Sequence, residues 1–215
     1  MMNIADVMAD PAPSLLAPQD SVVVLVDHQP QMFFGTTSAD RGEIINATVA
    51  LAKAAKVFDV PVVLTTVAAQ TFSGALLEPL ASQFPGFEPI DRTTMNCWED
   101  AQVVDAVKAT GRSRIVMAGL WTEVCIALAS LSAKAQGYDV YVPTDACGGV
   151  TPEAHENAVR RITQHGIVTT TWLTTMLEWQ RDWARTETYE AVMNVVMEHA
   201  GAYGLGVAYA HEMIK

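Results

Sequence analysis

The chain has 215 residues and a formal net charge of -11, with half of its residues apolar and 17% charged. That composition supplies a real core and argues against disorder, and the length fits one large domain or at most two small ones. The acidic balance disfavours nucleic acid and anionic membrane surfaces, which need a basic footprint, and no apolar run reaches the roughly 18 residues of a membrane span.

Residues 1–20 read as an acidic arm broken by Pro11, Pro13 and Pro18, and no signal peptide is expected because the start lacks a basic region. "SVVVLVD", 21–27, is a continuous β-branched run, the mark of a strand buried on both faces of a parallel sheet. Helical spacing of Ile45, Val49, Ala52 and Val57 follows over 42–59, then a second buried strand, "PVVLTTV". "WEDAQVVDAVKATG" predicts a helix stopped by Gly111. "RIVMAGL" is another buried strand, "TEVCIALASLSAKAQG" a helix ending at Gly137, and "YDVYVPTDA" a strand. "TPEAHENAVRRITQHG" predicts a helix with Thr151 as cap and Pro152 in its first turn. "IVTTTW" is the last strand, with a helix over about 173–183 after it. The alternation predicts an α/β fold, a three-layer α/β/α sandwich with a mainly parallel sheet and right-handed crossovers. The Met-, Ala- and Tyr-rich tail, 186–215, reads as a helical extension. With the arm it is a candidate for subunit contacts, or it packs on its own domain.

Ligands of open α/β sheets bind beyond the carboxyl ends of the strands. Asp27 closes the first strand, and partial desolvation there raises a carboxyl pKa toward that of a general base; a cap or loop anchor is the plainer role. Asp91 and Arg92 precede the "WEDAQ" helix, and Asp145 ends "YDVYVPTDA". Cys125 alone reads as buried filler, but it falls in a helix's first turn, where amide donors and the dipole favour a thiolate. Cys97 and Cys147 read as structural. Three widely spaced cysteines without a C-x-x-C pair suggest neither a disulfide framework nor a zinc knuckle, and free thiols fit a reducing cytoplasm. His155 and His165 read as solvated, and no histidine pair has metal-site spacing. G-x-S-x-G, G-x-G-x-x-G and Walker A motifs are absent, which removes support for serine hydrolase, dinucleotide and NTPase readings.

"VVLVDHQ", "RTTMNCW" and "GLWTEVC", in that order, resemble the isochorismatase-like cysteine hydrolases over about 21–182, and within them the YcaC-type branch. The resemblance implies a hydrolase domain over 21–185, with Asp27, a basic residue and Cys125 as its catalytic group. The family usually places lysine where this chain has Arg92, so the role carried over to Arg92 is electrostatic, not proton transfer. It also implies a cis peptide at Leu120–Trp121, with the Trp121 and Cys125 amides as an oxyanion hole. Gln29, Phe33, Phe34, Asn96, Trp98 and Thr122 are the expected substrate-pocket residues, with Phe33 and Phe34 equally readable as core or interface filler. Family nicotinamidases hold a metal on a histidine-bearing loop after the second strand. The matching segment, "TTVAAQTFSGALLEPL", has no histidine, so no metal or other cofactor is expected. The implied activity is cysteine-dependent hydrolysis of a small amide-like substrate through a thioester. The alternatives are a non-covalent isochorismatase-type hydrolase and an inactive binding relative. The implied assembly is a homo-oligomer, a tetramer or larger ring.

Overall fold

The apolar run that opens the sequence pattern forms β1 (Ser21–Val26), with every residue buried. The computed structural model describes residues 11–214; residues 1–10 of the expected arm lie outside the described residues. After β1 come α1 (Pro30–Phe34), α2 (Arg41–Val57), β2 (Val62–Val67), α3 (Glu78–Ala81), β3 (Ile90–Arg92) and α4 (Ala101–Ala109). The chain continues through β4 (Arg114–Gly119), α5 (Ala127–Ala135), β5 (Asp139–Pro143), α6 (Pro152–Gln164) and β6 (Val168–Thr170). Helices α7 (Trp172–Gln180), α8 (Thr186–His199) and α9 (Gly201–Met213) close it.

The strands form one parallel sheet in the order β3-β2-β1-β4-β5-β6. Right-handed crossovers place α2 on one face, where α7 and α8 pack against it, and α5 and α6 together on the other. The chain steps outward from β1 to β3, then returns to the other side of β1 as β4. That reversal opens a crevice between the carboxyl ends of β1 and β4, where α/β sheets bind ligands.

Local chemistry sets the helix starts. Asp40, Asp100, Thr151 and Thr171 cap α2, α4, α6 and α7 through their side-chain oxygens. The helix expected from Trp98 begins later, because the Asp100 side chain accepts from Gln102 and Val103 and leaves Cys97–Glu99 as a 3-10 turn. Strand β3 escapes the sequence reading because three residues with one exposed carry no run or alternation.

Residues 11–20 lie against their own domain. Leu16 is fully buried, its amide donates to Glu178 at 2.7 Å, and Tyr141 donates to the Ser14 carbonyl at 2.7 Å. Helix α8 also docks at home, with Val192, Met193, Val195 and Val196 buried and Asn46 of α2 donating to the His199 carbonyl. Helix α9 folds back on α8 and leaves Tyr203, Leu205, Tyr209, Met213 and Ile214 exposed. Among the described residues no helix is long and apolar enough to cross a membrane.

Gly119 fixes how closely β1 and β4 end together. It pairs with Val26, and a Cβ there would lie 2.1 Å from the Val26 carbonyl oxygen. Gly119→Ala is expected to destabilise by roughly 3 kcal/mol or more, since backbone must move to make room. Urea unfolding would read this as a midpoint shift at constant slope.

Candidate active site

Asp27 leaves β1 in the left-handed region, φ 58°, where aspartate is tolerated at a cost of about 1 kcal/mol. Its amide donates to the Thr65 carbonyl, and its own carbonyl accepts from Gln29 at 2.8 Å. This tight turn aims the carboxylate across the top of the sheet. Arg92, at the end of β3, reaches over β2 to meet it: Nη2 donates to the two Asp27 oxygens at 2.8 and 2.7 Å. Both side chains are fully buried. Arg92 Nη1 donates to the Thr94 carbonyl, and its Nε is buried without a partner.

Cys125 comes from the far side of the crevice. After β4 the Leu120–Trp121 peptide is cis, and the chain enters a π turn, Thr122–Ile126, before α5 begins. The amides of Val124 and Ile126 donate to the Trp121 carbonyl, and Cys125 comes close enough to Asp27 for each to shift the other's titration. Three residues remote in sequence thus share one buried spot.

Their electrostatics match the sequence expectation at Asp27 and run against it at Cys125. Burial pushes the Asp27 carboxyl up to about 6, and the Arg92 charge and the bonds from Cys125 and Arg92 only partly oppose it. The Cys125 thiol is raised by burial, then by the Asp27 charge, with Arg92 and the Trp121 amide pulling weakly the other way. Burial and the Asp27 charge thus oppose the thiolate that the helix start was expected to favour, and Arg92 offsets them only in part.

Several expected pocket residues have other work. Gln29 is buried and donates to the Val67 and Gly74 carbonyls while accepting from the Val67 amide, so it anchors both ends of the loop after β2. Consecutive residues on α1 face opposite ways: Phe33 joins the core beside His28, and Phe34 is 79% exposed. Asn96 caps the 3-10 turn through the Trp98 amide and donates to Ser132, about 10 Å further along the helix than Cys125. Trp98 packs edge-on against Tyr138 at 5.3 Å. Thr122 points away from Cys125, toward His155. Five of these six side chains are buried, and Phe34 is exposed. The Trp121 ring covers Gly35 and donates from Nε1 to the Met32 carbonyl at 2.9 Å, bracing α1 on the cysteine turn.

Other candidates resolve as structural. Asp91 accepts from Thr66 and the Ala69 amide, and Asp145 accepts from the Trp172 amide at the start of α7. Cys97 and Cys147 are buried, their thiols pushed up to about 12 by burial. Among the described residues no group of three or more His, Cys, Asp or Glu gathers as a metal site. His155, expected in solvent, is half-buried, with Nδ1 2.8 Å from the Thr122 hydroxyl. The spacing of His155, Ala158 and Ile162 is that of one helix face, the signal that would have turned it inward.

The profile of the isochorismatase domain matches residues 21–173. The chain belongs to the isochorismatase family. Among its members this isochorismatase-family chain is 38% identical over 165 residues to the probable hydrolase YcaC of Escherichia coli, across 76% of this chain and 79% of that one. The structure of YcaC from Pseudomonas aeruginosa with hexane-2,5-diol and covalent acrylamide superposes with a TM-score of 0.88 at 32% identity, covering 94% of this chain and all of that one. The crystal structure of the Escherichia coli YcaC gene product, an octameric hydrolase of unknown specificity, gives 0.89 at 32% identity, over 96% of this chain and 100% of that one. This family member is therefore a YcaC-type isochorismatase-like hydrolase with the α/β sandwich of its relatives.

Proposed function

We propose that the chain hydrolyses a small amide-like, C–N bonded substrate through a thioester on Cys125, without a metal or other cofactor. The observation that carries the reading is the Cys125 thiol held against the buried Asp27 carboxylate, whose pKa of about 6 leaves it ionised at neutral pH and basic enough to take a proton. Sulfur attacks the substrate carbonyl as Asp27 removes the thiol proton. The carbonyl oxygen becomes an oxyanion between the Trp121 and Cys125 amides. Asp27 passes its proton to the nitrogen, the C–N bond breaks, and the amine leaves. Water then attacks the thioester with Asp27 again as base, and the returning proton restores the thiol. Arg92 keeps the carboxylate aimed and ionised. An arginine in the usual lysine place suits this role, since it holds a carboxylate without giving up its charge.

Two features support a homo-oligomer, a tetramer or larger ring. The Escherichia coli relative is octameric, and this chain exposes apolar side chains along α9 and at Phe34.

The test is alkylation by acrylamide, followed by peptide mass spectrometry across pH 5 to 8. Cys125 is expected to modify at least about tenfold faster than Cys97 and Cys147, because only it has a base in contact. Its rate should climb through pH 6 and then level, since the carboxylate, not the acid, accepts the proton and prevails above that pKa. A Cys125 no faster than the other two would instead favour an inactive relative that kept the fold.

A further inference from the structure

The π turn that carries Cys125 is an uncommon backbone choice, and something must hold it. Its amides bond five residues back, Ile126 to Trp121 and Ala127 to Thr122, where an α-helix would bond four. A slide to α register would rotate Cys125 about the axis by about 100° and carry the thiol off Asp27.

The first two residues of the turn are tied down from outside. The Thr122 amide donates to the Gly148 carbonyl at 2.9 Å, and its fully buried hydroxyl lies 2.8 Å from His155 Nδ1 on α6. Glu123 accepts the Val150 amide at 2.8 Å through Oε1. Its other oxygen is buried without a hydrogen-bond partner, in the space it shares with Gly149 and His155. Gly149 has no room for a Cβ, which would lie 2.6 Å from that oxygen and 3.0 Å from His155 Cβ. Helix α6 and the loop before it therefore grip the start of the nucleophile turn.

We infer that His155 is a positioning residue: by its hydrogen bond with the Thr122 hydroxyl it locks the start of the turn in π register and so holds Cys125 beside Asp27. This rests on the nucleophile reading of Cys125. His155 touches no reacting atom and acts only through Thr122.

The experiment reads acrylamide modification of Cys125 in the full-length chain, with circular dichroism to confirm the fold. His155→Phe keeps the ring and loses the hydrogen bond, and a tenfold or greater fall in rate is expected. His155→Asn puts an oxygen near the Nδ1 position and should restore most of the rate. Thr122→Val removes the hydroxyl at nearly constant shape and should slow Cys125 as His155→Phe does, with no further loss in the double variant. Wild-type rates in both His155→Phe and Thr122→Val overturn the proposal while leaving the nucleophile reading intact. Should His155→Phe fail to fold, Thr122→Val decides alone. A wild-type Cys125 that resists the probe removes the nucleophile reading and this proposal with it.

Discussion

Cys125→Ala is expected to abolish turnover of any small amide the protein hydrolyses, a loss of about 10⁴-fold or more, as removal of a covalent nucleophile gives elsewhere. The fold should survive, because a small buried side chain is trimmed at a cost of about 1 kcal/mol. The loss would be chemical in origin: Asp27 remains paired with Arg92, but no atom is left for it to deprotonate onto the substrate. Removing the thiol also removes a bond that lowers the Asp27 pKa, so its carboxyl should titrate still higher in the variant. Steady-state assays on primary amides and carbamoyl compounds would check the first point, and carboxyl titration by NMR the second. Activity that survives in Cys125→Ala would select a non-covalent route, in which Asp27 activates water directly.

Asp27→Asn should separate activity from stability. Turnover is expected to fall by about 10³-fold or more, since an amide cannot serve as the base. Stability should move the other way. Asp27 titrates at about 6 in the fold against an ordinary value of 3.8. Between those values the folded chain holds a proton that the unfolded chain has lost, so stability falls as pH rises from 4 toward 6. Above 6 the ionised carboxylate leaves the fold about 3 kcal/mol less stable than a neutral group there would. Asparagine is neutral, nearly isosteric and at ease at φ 58°. At pH 8 the variant should melt no lower than the wild type. Near pH 4, where Asp27 is itself protonated, the gap should close. A variant melting well below the wild type at pH 8 would mean that pairing with Arg92 outweighs the cost of burying the charge.

The sheet was readable because parallel strands buried on both faces are written as continuous apolar runs, and β1, β2, β4 and β5 all are. Asp27 and Cys125 were readable for a related reason: each stands where a run stops. The contacts of the pocket candidates were not. Asn96 and Trp98 follow Arg92 closely in sequence, but at the 3-10 turn before α4 Asn96 donates to Ser132 on α5 and Trp98 packs against Tyr138. Gln29 has the chemistry of a substrate contact and spends it on backbone at Val67 and Gly74, a choice that depends on a loop path invisible in the sequence. Arg92 was identified as the basic residue, but its allegiance to Asp27 rather than Cys125 follows from β3, the strand too short to announce itself. The rise of the Cys125 thiol was not legible either, since burial is a property of the assembled crevice.

Because the sheet places β1 between β2 and β4, the site has no local precursor. Asp27 and Arg92 stand 65 positions apart, and Cys125 arrives only when β4 pairs with β1. Such long-range pairings are intrinsically slow to form. A nascent or partly folded chain therefore carries Cys125 as an ordinary thiol, with no base beside it. On the proposed mechanism, reactivity at Cys125 that tracks Asp27 ionisation would report that β4 has paired with β1.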